Sequence, residues 1–182
     1  MDSSTDNSLM LRVKEGDIDK MGLLFDRYNR QLYGFLYHST GQRVDAEDLV
    51  QTVFYRMLKY RHTFTGEGEF RTWMYHLARN ALIDTSKKAS RIKYEADVTL
   101  KMNGNHIENP IDRHYIKNEE EQNIRLAISK LKEDQREVLI MSKYQELNYK
   151  EIAEILQTTE GNIKVKVYRA VQELRSIYLK LN

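Results

Sequence analysis

Residues 148–169 read NYKEIAEILQTTEGNIKVKVYR: a short helix, a tight turn, then a longer helix, the layout of a helix-turn-helix. Asn148 is placed to cap the first helix, and Glu151 three residues on completes a capping box, with Asn in place of the usual Ser or Thr. Ala153 is small, as a close helix crossing requires, and Thr158 or Thr159 can cap the second helix. At about 100° per residue, turning Ile163, Val167, Ala170, Val171 and Leu174 inward leaves Asn162, Val165, Lys166, Arg169 and Gln172 outward, with Lys164 on the flank. In such a motif the second helix lies in the major groove of DNA. Asn162 and Lys166 can then hydrogen-bond base edges, Lys164 and Arg169 can pin phosphates, and Val165 can meet a thymine methyl. An ordinary three-helix packing unit with solvated lysines would share the pattern.

Helical periodicity extends on both sides. Towards the amino terminus of the motif lie one helix from Glu119 through Ile124, Ala127, Ile128 and Leu131, and another over Asp134–Lys143. The motif's second helix continues from about Glu160 to Leu181. Before Glu119, from Ala89 to about Lys117, no sustained period is visible, and the chain's one proline, Pro110, falls there. About 30 residues without regular structure is too long for a connection inside one compact domain. The expected architecture is all-α: two small helical domains, residues 1–88 and 118–182, joined by a flexible linker over 89–117, the second domain being the helix-turn-helix.

The first domain ends in FRTWMYHLARNALIDTSKK, residues 70–88. Phe70, Trp73, Met74, Leu77, Ala81 and Leu82 make an apolar stripe. Arg71, Tyr75, His76, Arg79, Asn80 and Asp84 lie off it, with Lys87 and Lys88 beyond. Cations, an amide and rings on one outward surface can neutralise phosphate, hydrogen-bond bases and stack on exposed ones, although a solvated helix face looks similar. Ahead of it come a helix over Ser8–Lys14 stopped by Gly16, one from Ile18 to Ser39 closed by Gly41, and a third beginning near Asp45, whose side chain is placed to cap it. The loop Thr63–Glu69 carries Gly66 and Gly68 either side of Glu67.

Composition narrows the classes. A formal charge of +2 and a pI near 8.6 are only mildly basic, so nucleic-acid contact must come from local patches. With no cysteine, disulfides and thiolate metal sites are excluded. The five histidines, His38, His62, His76, His106 and His114, show no metal-ligand spacing, and neither a Ser/His/Asp set nor a GxxxxGK[ST] loop is present. No enzymatic activity, cofactor or metal is expected. Met1–Asn7 is polar and acidic, and no apolar run approaches the roughly 20 residues that cross a bilayer, so no export signal or membrane insertion is expected and a cytoplasmic location is.

Three stretches in order resemble one family: DAEDLVQTVFYRMLK from Asp45, FRTWMYHLARNALID from Phe70, and QREVLIMSKYQELNYKEIAEIL with EGNIKVKVYRAVQELR from Gln135 onward. Together they resemble a bacterial RNA polymerase sigma factor of the compact extracytoplasmic-function type, with its regions 2 and 4 in sequence. The resemblance implies that Asp48, Gln51, Thr52 and Tyr55 contact core RNA polymerase through the clamp helices of its largest subunit. It implies that the Thr65–Glu69 loop and Arg71, His76, Arg79, Asn80, Lys87 and Lys88 meet the −10 element, the loop receiving an extruded base. The linker would thread toward the RNA exit path. The second domain would sit on the flap of the other large subunit and read the −35 element through Asn162, Lys164, Val165, Lys166 and Arg169. Control by an anti-sigma protein is a further implication. Gln157 stands where the family's turn has glycine, Lys132 where proline is common, and His76 where basic or aromatic residues occur. The rival is a helix-turn-helix regulator with an N-terminal sensor, which would bind duplex sites without polymerase.

Overall fold

The computed structural model describes residues 5–100 and 119–181, and every regular element among them is helical. Helices α1 (Asp6–Glu15), α2 (Lys20–Thr40), α3 (Arg43–Lys59) and α4 (Phe70–Leu100) form the first unit. Helices α5 (Glu119–Ser129), α6 (Glu133–Leu139), α7 (Tyr149–Leu156) and α8 (Glu160–Leu179) form the second. Glycine ends the first two helices where the periodicity predicts: Gly16 and Gly41 take left-handed φ of 111° and 75°, which an L side chain adopts only with strain.

Side chains that leave water set the packing. Leu9, Met10 and Val13 of α1, Leu24, Leu32, Phe35 and Leu36 of α2, Val53 and Met57 of α3 and Met74 of α4 are fully buried. Helix α3 is packed between α2 and α4, and α1 closes the unit against α2 and α4. In the second unit Val138, Ile140, Met141, Ile152, Ile163 and Ala170 are fully buried, with α8 crossing α5, α6 and α7.

Four expectations are corrected. Helix α3 starts at Arg43 with Gln42 as its cap residue and no side-chain capping bond; Asp45 lies inside the first turn, where the helix dipole rather than a cap favours it. The helix from Phe70 does not stop at Lys88 but runs to Leu100, so the first twelve linker residues are helical; residues 101–117 of that stretch lie outside the described ones. The helix expected over Asp134–Lys143 ends at Leu139 and widens into a π turn, Ile140–Tyr144. Ile124 and Val171, read as inward, are 41% and 38% exposed.

Candidate nucleic-acid interface

The helix-turn-helix forms by the local chemistry its sequence announces. Asn148 Oδ1 accepts from the Glu151 amide at 2.9 Å while Glu151 Oε2 accepts from the Asn148 amide at 2.7 Å, a complete capping box. Gln157 ends α7 in the left-handed region, φ 52° and ψ 50°, and its amide and that of Thr158 return to carbonyls of the last turn. Thr159 caps α8 by accepting from the Asn162 amide at 3.3 Å. These bonds fix the start of α8 at the surface, with Ile163 buried beneath it. Asn162, Lys164, Val165 (48% exposed) and Arg169 face solvent on it, and Asn162 Nδ2 donates to Thr158 Oγ1 at 3.2 Å. Lys166 is half-buried, and its charge is among those that lower the Glu137 pKa.

On α3, Asp48, Gln51 and Tyr55 (64% exposed) project outward on one face. Thr52, on the same face, is half-buried and donates its hydroxyl to the Asp48 carbonyl at 2.9 Å.

The α4 face departs from the expectation. Tyr75, read as outward, is 0% exposed, edge-on to Phe35 at 5.3 Å, with its hydroxyl hydrogen-bonded to the Gln145 side-chain amide at 2.7 Å. Burial pushes that phenol well above its usual range. Arg71 Nη2 donates to the Gln145 carbonyl at 2.7 Å, and its Nε lies 4.0 Å from Glu151. Arg79 Nε donates to Glu137 Oε1 at 2.7 Å. So Arg71 and Arg79 face the second unit rather than open solvent. His76 and Asn80 pair with each other at 3.3 Å one turn apart, and Lys87 and Lys88 are exposed.

That seam continues along α2. The His38 and Tyr144 rings lie 4.0 Å apart, and Arg125 donates to the Tyr37 hydroxyl while its guanidinium covers the Tyr37 ring at 4.9 Å. Burial lowers the His38 pKa, helped by the Arg125 charge. Burial raises that of Glu137, with the Arg79 hydrogen bond and charge pulling the other way. None of Gln145, Glu137 or Glu151 stood out in the sequence as a partner for α4, since these residues carry no mark of a contact 58 to 80 positions away.

Comparison with known proteins follows the same division. The description "Sigma-70 region 2" matches residues 24–92 and "Sigma-70, region 4" matches residues 121–174. The factor SigM of Bacillus subtilis is 30% identical over 85% of this chain and 93% of its own length. BldN of Streptomyces coelicolor is 30% identical over 95% of this chain, which spans 66% of BldN. Both are named extracytoplasmic-function RNA polymerase sigma factors. Two solved structures share the fold. One is CnrH in complex with the cytosolic domain of CnrY (TM-score 0.71, 18% identity, 96% of this chain and 97% of that one). The other is the Bartonella quintana sigma factor RpoE with the anti-sigma factor NepR (TM-score 0.70, 24% identity, 88% and 97%). Two helical units carrying regions 2 and 4 in order define a transcription initiation factor of the sigma-70 type. The chain belongs to the extracytoplasmic-function sigma factors within that family. No helix among the described residues is long and apolar enough to cross a membrane.

Proposed function

We propose that this alternative sigma factor divides its work among three surfaces. The outer face of α3, with Asp48, Gln51, Thr52 and Tyr55, docks on core RNA polymerase in the cytoplasm. The Thr65–Glu69 loop with Arg71, His76, Arg79, Asn80, Lys87 and Lys88 reads the −10 element. The start of α8, through Asn162, Lys164, Val165, Lys166 and Arg169, reads the −35 element. Residues 1–88 and 118–182 serve as the two modules. The observation that carries this reading is the capped, solvent-facing start of α8 behind a region 4 match, on the same chain as a region 2 match. Binding drives strand separation: unstacking a base costs a few kcal/mol and is offset when a protein pocket stacks and hydrogen-bonds it. No nucleotide hydrolysis enters.

The seam bears on this reading. The two elements, by their names about 25 base pairs apart, are separated on the order of 85 Å along B-form DNA at 3.4 Å per base pair. Units joined by a 2.7 Å Arg79–Glu137 ion pair cannot reach both at once. The closed arrangement is therefore a resting form, and promoter reading requires α4 to part from α7 and the π turn. NepR, solved with one structural relative, is named an anti-sigma factor; an anti-sigma protein that stabilised the closed pairing of this chain would withhold the factor.

The test is dependence on polymerase. Mixed with core RNA polymerase, the chain should form a stable holoenzyme and acquire promoter binding that neither component has alone. Tight, sequence-specific duplex binding by the isolated chain would favour the regulator reading instead.

A further inference from the structure

The loop between η1 (Arg61–Thr63) and α4 is held from outside by a helix that precedes the residues matched by region 2. Asn7, in the first turn of α1, uses both ends of its amide on it. Its Oδ1 accepts from the Phe70 amide at 2.8 Å, and its Nδ2 donates to the Gly68 carbonyl at 2.9 Å and the Gly66 carbonyl at 3.4 Å. One helical turn further along α1, Leu11 underlies Gly66: a Cβ added there would stand 3.2 Å from the leucine side chain. Lys14 Nζ then donates to the Phe64 carbonyl at 2.7 Å. Backbone groups of residues 64, 66, 68 and 70 thus turn toward α1, and the side chains of Thr65, Glu67 and Glu69 are left exposed.

The helix that does this is itself fixed. Leu9, Met10 and Val13 are fully buried, and Asp6 accepts from Arg27 at 2.6 Å and from the Tyr28 hydroxyl. Asn7 sits between those anchors, so its amide is aimed before any DNA arrives. The loop needs the support. Gly66 is at φ 82°, and support from inside the loop comes as a Thr65 Oγ1 accepting from the Glu67 amide at 3.3 Å. The Phe70 amide, first of the otherwise orphan amides of α4, takes its acceptor from α1 instead of from a residue next to it in sequence.

We propose that Asn7 is a positioning residue for −10 recognition. By clipping Gly66, Gly68 and Phe70 it presets the loop that receives the extruded base, so that the exposed side chains of residues 65, 67 and 69 meet that base in one geometry. This rests on the reading of the loop as the −10 reader. A pocket that discriminates bases must hold its groups within a fraction of an ångström, and a loop that has to be ordered on binding loses selectivity along with affinity.

The experiment uses full-length holoenzyme with bacterial core polymerase. It measures open-complex formation on a promoter selected by the wild type, and on derivatives substituted singly in the −10 or the −35 element. Asn7→Ala should reduce discrimination between the intact and substituted −10 elements at least fivefold, while −35 discrimination and affinity for core stay within twofold. Asn7→Asp keeps the acceptor for Phe70 but sets a carboxylate oxygen against two carbonyls, and should fall in the same direction. Gly66→Ala, which presses the loop away from Leu11, should reproduce the −10 defect without touching Asn7. Unchanged −10 discrimination in these variants overturns the proposal, provided Thr65→Ala or Glu67→Ala changes it. If the Thr65 and Glu67 variants leave it unchanged as well, the reading of the loop fails first and the clip with it. Equal losses at −10 and −35 would mean that Asn7 only supports the fold, and would also overturn it.

Discussion

Gln157 carries a β-carbon in a backbone conformation that glycine adopts freely, at φ 52°. The left-handed region costs a side-chain-bearing residue about 1 kcal/mol, and an exposed glutamine has little packing here to offset it. Replacing it by glycine should therefore stabilise the second unit by at most about 0.5 kcal/mol, because glycine's larger unfolded-state entropy takes back about 0.4–1 kcal/mol of the gain. Chemical denaturation would read this, and a loss of stability would show that the Gln157 side chain holds the turn in some other way. On the proposed DNA face, Asn162→Ala and Lys166→Ala should each remove about 1–3 kcal/mol of preference at one −35 position. Lys164→Ala should weaken all sequences alike and flatten the salt dependence by about one counterion. A uniform loss from Asn162→Ala would count against base reading. Features settled by neighbours in sequence were legible: Asn148 with Glu151, and a threonine cap for α8 that stood between Thr158 and Thr159 until the structure put it on Thr159. Tyr75 was not, because what buries it, Phe35 and Gln145, comes from other elements.

At the scale of elements, helices were recognisable wherever an apolar stripe ran between stops. Gly16 and Gly41 marked two ends, and the Tyr149–Leu156 range was readable in full. The overrun of α4 was hidden for a physical reason. ASRIKYEADVTL, residues 89–100, has no regular apolar stripe but also no glycine or proline, and a helix already nucleated upstream propagates through a segment that contains no breaker without needing a stripe. The π turn at Ile140–Tyr144 has no breaker in its sequence, so it was missed as well. The α3 surface gives a clean test, since it lies away from the core. Asp48→Ala and Tyr55→Ala should leave the thermal transition within a degree or two, yet weaken holoenzyme formation several-fold in a titration of core polymerase. Unaltered affinity for core would remove α3 from the docking surface.

For the molecule as a whole, the composition and the aperiodic middle indicated two helical units, but nothing local could reveal that they face each other across α4. The seam ties their separation to pH. The closed form lowers the His38 pKa below 6.5, so it favours the neutral ring. The stabilisation of closure by His38 is complete above pH 6.5 and is lost as pH falls through the lowered value. Glu137 is pulled both ways: burial raises its pKa, while the Arg79 hydrogen bond and charge across the seam lower it and favour the ionised pair. Paired fluorophores on the two units should report greater separation between pH 7.5 and 5.5, and His38→Gln should abolish that response. Persistence of the full response in the variant would assign it to another group. Glu137→Lys, which sets like charges at the Arg79 contact, should open the seam at neutral pH. An unchanged interdomain distance would show that the remaining seam contacts, Arg71 and Tyr75 with Gln145 and Arg125 with Tyr37, suffice without the ion pair.

The account stands on one claim, that this chain directs polymerase to promoters by reading two separated elements. The direct measurement adds the full-length protein to core RNA polymerase and a library with randomised −35 and −10 segments, then sequences the initiated transcripts. Starts should cluster at a fixed distance downstream of one paired motif, and Asn162→Ala should relax the upstream half alone. Initiation no more selective than that of core polymerase by itself would contradict the claim.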